Sequence, residues 1–193
     1  MSQTVETNQA RSAAVAAAMS DIRALDAKGV DRECVEGIRE RLLELAGHRE
    51  LFPTDDFPPP SDGERSCMYR IAQDDDDRFA LYVQVVRDGT MAPPHDHTTW
   101  AVIVGFDGQE LNKRYDCKAG EGEPQVVSEF MVEEGTGIAF LPDEVHSIHI
   151  EGGSMNFHCY GLALEELHER RYWSGDGEWK IFTGVSNIID ARG

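Results

Sequence analysis

From Tyr69 onward the chain is cut into short apolar runs separated by turn signals, and that cadence limits the possible folds more than any other feature. FALYVQVV is followed by RDGTMAPP, WAVIVGF and DGQ, and later come GTGIAFLPDE, HSIHI, EGGS and MNFHCYGL. Runs of this length and spacing belong to an antiparallel barrel or sandwich. The first quarter of the chain has a different period. Between about Thr4 and Leu51, Val15, Met19, Ile22 and Leu25 recur at three and four, and Cys34, Ile38, Leu42, Leu45 and Ala46 do the same after Gly29 and Asp31. This predicts two amphipathic helices. LFPTDDFPPPSDGERS, dense in proline and turn residues, reads as a surface connector between the two regions. The 193 residues show no composition break, so one domain is expected, with helices over 1–52 and a β-barrel over 65–193.

Charge narrows the partners. Eighteen Lys+Arg against 36 Asp+Glu leave a formal charge of -18, and no basic cluster offsets it. Neither nucleic acid nor an anionic membrane surface is therefore expected as a partner. The alanine-rich RSAAVAAAMSDIRAL is too short and too interrupted by charge to span a bilayer. Cys34, Cys67, Cys117 and Cys159 are widely spread with no CxxC pair and no secretory leader ahead of them, which predicts reduced thiols in a cytoplasmic protein. The acidic tract Asp74 to Asp77 lacks the alternation, glycine and terminal glutamate of an EF-hand, and reads as a solvated turn between two strands.

The chemistry starts at PPHDHTTWAVIVGF, residues 93 to 106. Val102, Ile103 and Val104 suggest a strand, on which His95 and His97 would face the same way. Two imidazoles on one face begin a metal site and call for a third ligand. His149 falls on the opposite strand face from His146, and His158 comes later in NFHCY. His146 follows the turn LPDEV, and a proline-bearing turn before a strand delivers its first residues at a barrel rim, as Pro93 and Pro94 do for PPHDH. His146 is the expected third ligand.

These residues resemble the cupin superfamily, whose first motif is G(x)5HxH(x)3,4E(x)6G. Gly89, His95, His97 and Gly108 match it, and Ala101 stands at the glutamate. The second motif matches more loosely, through Gly135 or Gly137, Pro142 and His146. The resemblance implies a double-stranded β-helix, the cupin jelly-roll barrel, mainly β with an N-terminal pair of α-helices. Ala101 reduces the ligand set it implies to three histidines. HDHTTW, LPDEVHSIH and NFHCYG resemble in particular the bacterial thiol dioxygenases, which include cysteine dioxygenase and 3-mercaptopropionate dioxygenase. That resemblance covers about Tyr69 to Trp173 and implies Fe(II) held by His95, His97 and His146. His158 and Tyr160 carry over as catalytic residues outside the ligand set, with Asn156 in place of the family's serine. Asn156, His158 and Tyr160 also share one strand face by spacing alone. Ala101 has no thiol, so the cysteine–tyrosine cross-link of eukaryotic members cannot form here.

The reaction implied is oxidation of a small carboxylated thiol by O2 to a sulfinic acid. The substrate carboxylate needs a cation, and the resemblance points to Arg70 in CMYR, or to Arg170 or Arg171 in LHERRYW; Arg70 and Arg171 are the positions expected to bind it. Three neutral imidazoles without a carboxylate keep the site cationic, which favours a bound thiol losing its proton. The competing classes are another metal-dependent cupin enzyme, an isomerase or keto-acid enzyme, and a non-catalytic cupin that binds a small ligand. The thiol and the oligomeric state are left open by the sequence. Trp100 and Cys159 are expected to pack, Cys159 on the outer side of its sheet.

Overall fold

The computed structural model describes residues 2–182 and 187–192. Two helices come first, α1 (Ser2–Asp26) and α2 (Arg32–Gly47). Asp31 caps α2, its carboxylate accepting the Cys34 N–H at 2.8 Å, a contact typically worth about 1 kcal/mol. The connector expected to be irregular contains two short 3-10 turns, Arg49–Leu51 and Thr54–Asp56.

Twelve strands follow among the described residues: β1 (Ser66–Ala72), β2 (Arg78–Val86), β3 (Thr90–His95), β4 (Ala101–Gly108), β5 (Glu110–Tyr115), β6 (Val126–Val132), β7 (Gly137–Phe140), β8 (His146–Ile150), β9 (Ser154–Leu162), β10 (Arg171–Trp173), β11 (Trp179–Ile181) and β12 (Asn187–Asp190). They form two six-stranded sheets, in the orders β12-β1-β2-β9-β4-β7 and β11-β10-β3-β8-β5-β6. From β2 to β9 the chain crosses repeatedly between the two sheets, with β2-β9-β4-β7 facing β3-β8-β5-β6. This is the jelly-roll, or double-stranded β-helix, arrangement. The protein is mainly β, with its helices at the N-terminus.

Burial on both faces of the first sheet explains its almost unbroken apolar strands. Val102, Val104, Phe157 and Cys159 point outward into a cluster with Val15, Met19, Ile22, Ile38 and Leu42 of the helices. Ala101, Ile103 and Tyr160, from the alternate positions, point inward with Met68, Tyr82 and Phe140. Trp100 belongs to the outer cluster and donates its Nε1–H to Asp26 at 2.9 Å, so it packs against the helical layer. None of the helices among the described residues is long and apolar enough to cross a membrane.

Candidate metal centre and its cavity

The two histidines of PPHDHTTW do not share the strand of Val102–Val104. His95 ends β3, a strand where a turn had been expected, and His97 lies in the segment between β3 and β4. Pro93 and Pro94 lack the N–H groups a regular ladder needs, and the β3–β8 pairing shifts register between Ala92 and His95. The irregularity sets His95 directly across from His146, the first residue of β8. Thr98 then turns the chain with φ +55°, an unusual conformation for a β-branched residue. Gly161, just after Tyr160, lets β9 approach this segment: a Cβ there would meet Thr99 Oγ1 at 2.5 Å and Trp100 Nε1 at 2.7 Å.

His95, His97 and His146 converge, each offering a ring nitrogen, with the three atoms within 4.8 Å of one another. All three side chains are buried. His95 Nδ1 donates to the Pro93 carbonyl at 2.8 Å, and His146 Nδ1 lies 2.8 Å from Asn112 Oδ1. Those partners leave the Nε2 atoms of His95 and His146 as bare lone pairs. His97 Nε2 is 2.9 Å from His146 Nε2, and His97 Nδ1 is buried without a hydrogen-bond partner. Burial holds the ring of His95 down to about 4 and those of His97 and His146 well below the usual histidine range, so all three are neutral at pH 7. Converging neutral imidazoles with one orphaned nitrogen fit a divalent metal of the Fe, Zn, Ni or Cu group. Ala101 lies in the inner cluster and offers no donor, so the set contains no carboxylate.

Beside the ligands, His158 Nδ1 and the Tyr160 hydroxyl are 3.0 Å apart, both buried. Burial pushes the Tyr160 phenol up and lowers His158 to about 3, so the pair is neutral. Asn156 shares their strand face but donates its amide to Glu110 Oε2 at 2.9 Å, and His158 Nε2 has no hydrogen-bond partner. Glu110 and Asn112, on β5, were not anticipated from the sequence. The stretch ELNKRY is polar apart from Leu111 and Tyr115, so it carries no apolar run, yet it turns Glu110 and Asn112 into the barrel, fully buried. Glu110 accepts both Asn112 and Asn156 at 2.9 Å, and burial raises its carboxyl to about 7.

A cavity of about 470 Å3 leads to these groups. His95, His97, His158, Tyr160 and Arg170 line its inner part, and Met68, Ile103 and Ile148 its apolar wall. Neither arginine expected at the substrate is there. Arg70 is held by Gln73 at 2.7 Å and Glu165 at 2.8 Å. Arg171 sends its guanidinium toward Gly120 while its backbone N–H donates to Asp96 at 2.7 Å. The aspartate between the two histidines thus clamps the start of β10. Arg170, the preceding residue, is buried, donates Nε–H to the Leu167 carbonyl at 3.4 Å, and lies 5.0 Å from the centre of the Phe182 ring.

No protein-family model and no curated protein matches this chain. Solved structures do resemble it. A cupin superfamily protein from Desulfitobacterium hafniense is 13% identical with a TM-score of 0.42, over 57% of this chain and 89% of its own. A Klebsiella pneumoniae protein with a double-stranded β-helix domain is 13% identical with a TM-score of 0.43, over 69% and 91%. The DMSP lyase DddQ from Ruegeria pomeroyi is 15% identical with a TM-score of 0.46, over 59% and 54%. At such identities the likeness concerns the fold and not the chemistry.

Proposed function

We propose that this chain is a non-haem Fe(II) thiol dioxygenase that oxidises a small carboxylated thiol, of the cysteine or 3-mercaptopropionate type, to its sulfinic acid with O2. The balance is simple: both oxygen atoms end on sulfur, and no other reductant is consumed. The observation that supports this reading most is a three-imidazole set without a carboxylate, two of whose members, His95 and His97, line one cavity with a phenol–imidazole pair and a buried arginine. When bound to His95, His97 and His146, iron would supply the Lewis acidity and the redox capacity the reaction needs.

The chain's own residues have distinct tasks. Arg170 grips the substrate carboxylate with parallel N–H bonds, which points the thiol toward the histidines. Arg170 takes this role because it lines the cavity, which Arg70 and Arg171 do not. Tyr160 keeps its proton at neutral pH and offers the O–H to the reacting atoms, and His158 Nδ1 holds the phenol in place when it does not. Met68, Ile103 and Ile148 keep the inner cavity dry, which strengthens each of these polar contacts. The four cysteines are free thiols, in keeping with a reducing compartment such as the cytoplasm.

The test is oxygen uptake by Fe(II)-loaded protein with cysteine, 3-mercaptopropionate, mercaptosuccinate and cysteamine, with mass spectrometry of the products. Uptake with a carboxylated thiol, a gain of two oxygens, and loss of both in His146→Ala are expected. Full iron occupancy with no uptake on any of these thiols would overturn the reading in favour of another metal-dependent cupin reaction or a binding role.

A further inference from the structure

We propose that Glu110 is a positioning residue for the metal centre: by accepting the Asn112 amide it dictates which nitrogen of His146 carries the proton. This rests on His146 being a metal ligand and on nothing about the reaction. Glu110, Asn112 and His146 are each fully buried, so no solvent competes for their hydrogen bonds. Asn112 Nδ2 donates to Glu110 Oε1 at 2.9 Å, and the other end of that amide, Oδ1, faces His146 Nδ1 at 2.8 Å. An amide has one donor end and one acceptor end. With its donor end committed to Glu110, Asn112 presents an acceptor to His146, and Nδ1 must carry the hydrogen.

The consequence falls on the opposite side of the ring. A proton on Nδ1 leaves Nε2 with its lone pair, and Nε2 is the atom 2.9 Å from His97 Nε2 at the centre of the triad. If Asn112 turned round, its NH2 would face Nδ1, the proton would move to Nε2, and the ligand atom would be blocked. A carboxylate is an acceptor only, and a neutral carboxyl still accepts at its carbonyl oxygen, so in either form Oε1 can receive the Asn112 amide and gives it no reason to turn. Asn156 takes the other oxygen of Glu110 at 2.9 Å and fixes the carboxyl plane. Partners of this kind typically change metal affinity about 10- to 100-fold when removed.

Glutamine at position 110 gives an informative contrast. Its single acceptor oxygen can still receive Asn112, while its NH2 would face Asn156, whose Oδ1 is buried without a partner and gains one if that amide turns. Glu110→Gln should therefore keep the tautomer, and Glu110→Leu should lose it.

The experiment combines titration of the metal-free protein with Zn(II) or Co(II) and ring-nitrogen NMR of the wild type. Expected are the Nδ1–H form of His146, a dissociation constant raised about 10- to 100-fold in Glu110→Leu and in Asn112→Ala, and one within about threefold of wild type in Glu110→Gln. Because Glu110 acts through Asn112, the double variant should bind no more weakly than Asn112→Ala alone. An Nε2–H form in the wild type would overturn the proposal without any variant having to fold. Multiplying effects in the double variant, or unchanged affinity in Glu110→Leu, would do the same. A wild type that binds neither metal would overturn the metal-centre reading and this inference with it.

Discussion

Asn156 Nδ2 donates to Glu110 Oε2 at 2.9 Å and makes no hydrogen bond to His158, two residues along the same strand. The amide therefore does not do what a serine beside the histidine would do. It serves the buried carboxyl, whose Oε2 comes to 4.0 Å from His158 Nε2. Asn156→Ser shortens the side chain and takes the donor away from Glu110. The expected cost is about 1–3 kcal/mol, the usual penalty of a buried polar group left without its partner. Urea unfolding of the metal-free protein measures it, as a lower midpoint at unchanged slope.

The pH dependence of stability tests Glu110 separately. Its carboxyl is raised to about 7 by burial, above the ordinary value of 4.5, so between those values the folded state holds a proton that the unfolded state has lost. Stability from this group is complete below about 4.5 and falls as pH rises through about 7, by at most about 1.4 kcal/mol per pH unit. The buried histidines act in the opposite sense. Their lowered values mean the unfolded state binds more protons below 6.5, so their contribution grows as pH rises toward it. The net curve mixes both, and the difference between wild type and Glu110→Gln isolates the carboxyl. That difference should shift against the wild type from pH 4.5 to 7 and stay level below 4.5.

Much of this site could be read from the sequence because its parts are local. HDH, the turn before His146 and the alternation of Asn156, His158 and Tyr160 each carry a signal within a few residues, and the triad indeed assembles. The helices announced themselves by spacing, and their apolar stripes are the ones buried against the sheet. What was hidden depends on contacts distant in sequence. β3 contains Pro93 and Pro94 and reads as a turn until β8 pairs with it. β5 is mostly polar, and its inward Glu110 and Asn112 make sense only beside Asn156 and His146, 46 and 34 residues away. The arginines differ for the same reason. Arg170 and Arg171 are adjacent in LHERRYW; Asp96, distant in sequence, clamps the Arg171 backbone, and Arg170 is the one that lines the cavity.

That clamp leads to a comparison of three arginines under the proposed reaction. Arg170→Ala should lower kcat/KM for carboxylated thiols about 10- to 100-fold, corresponding to hydrogen bonds to a charged group of about 1.5–3 kcal/mol. Arg171→Ala, whose guanidinium lies on Gly120, should leave kcat/KM within about twofold. Arg70→Ala removes the partner of Glu165, which in turn sits 3.3 Å from the Tyr82 hydroxyl, and should lower the melting temperature more than it changes KM. Cysteamine has no carboxylate, so steady-state oxygen uptake with it should be insensitive to Arg170.

Tyr160→Phe tests the remaining polar group in the cavity. The hydroxyl is 3.0 Å from His158 Nδ1, and phenylalanine keeps the ring among Tyr82, Ile103 and Phe140 while deleting only the O–H. The three ligands keep their own partners, so iron content should equal that of the wild type. If the phenol donates its proton toward the reacting atoms, kcat should fall about 100-fold, at the lower end for a positioned acid–base group. KM should change far less, because Arg170 still holds the carboxylate. Single-turnover oxygen uptake separates the chemical step from product release and assigns the loss to it. An unchanged chemical step would restrict Tyr160 to a packing role and leave its hydrogen bond to His158 without a catalytic task.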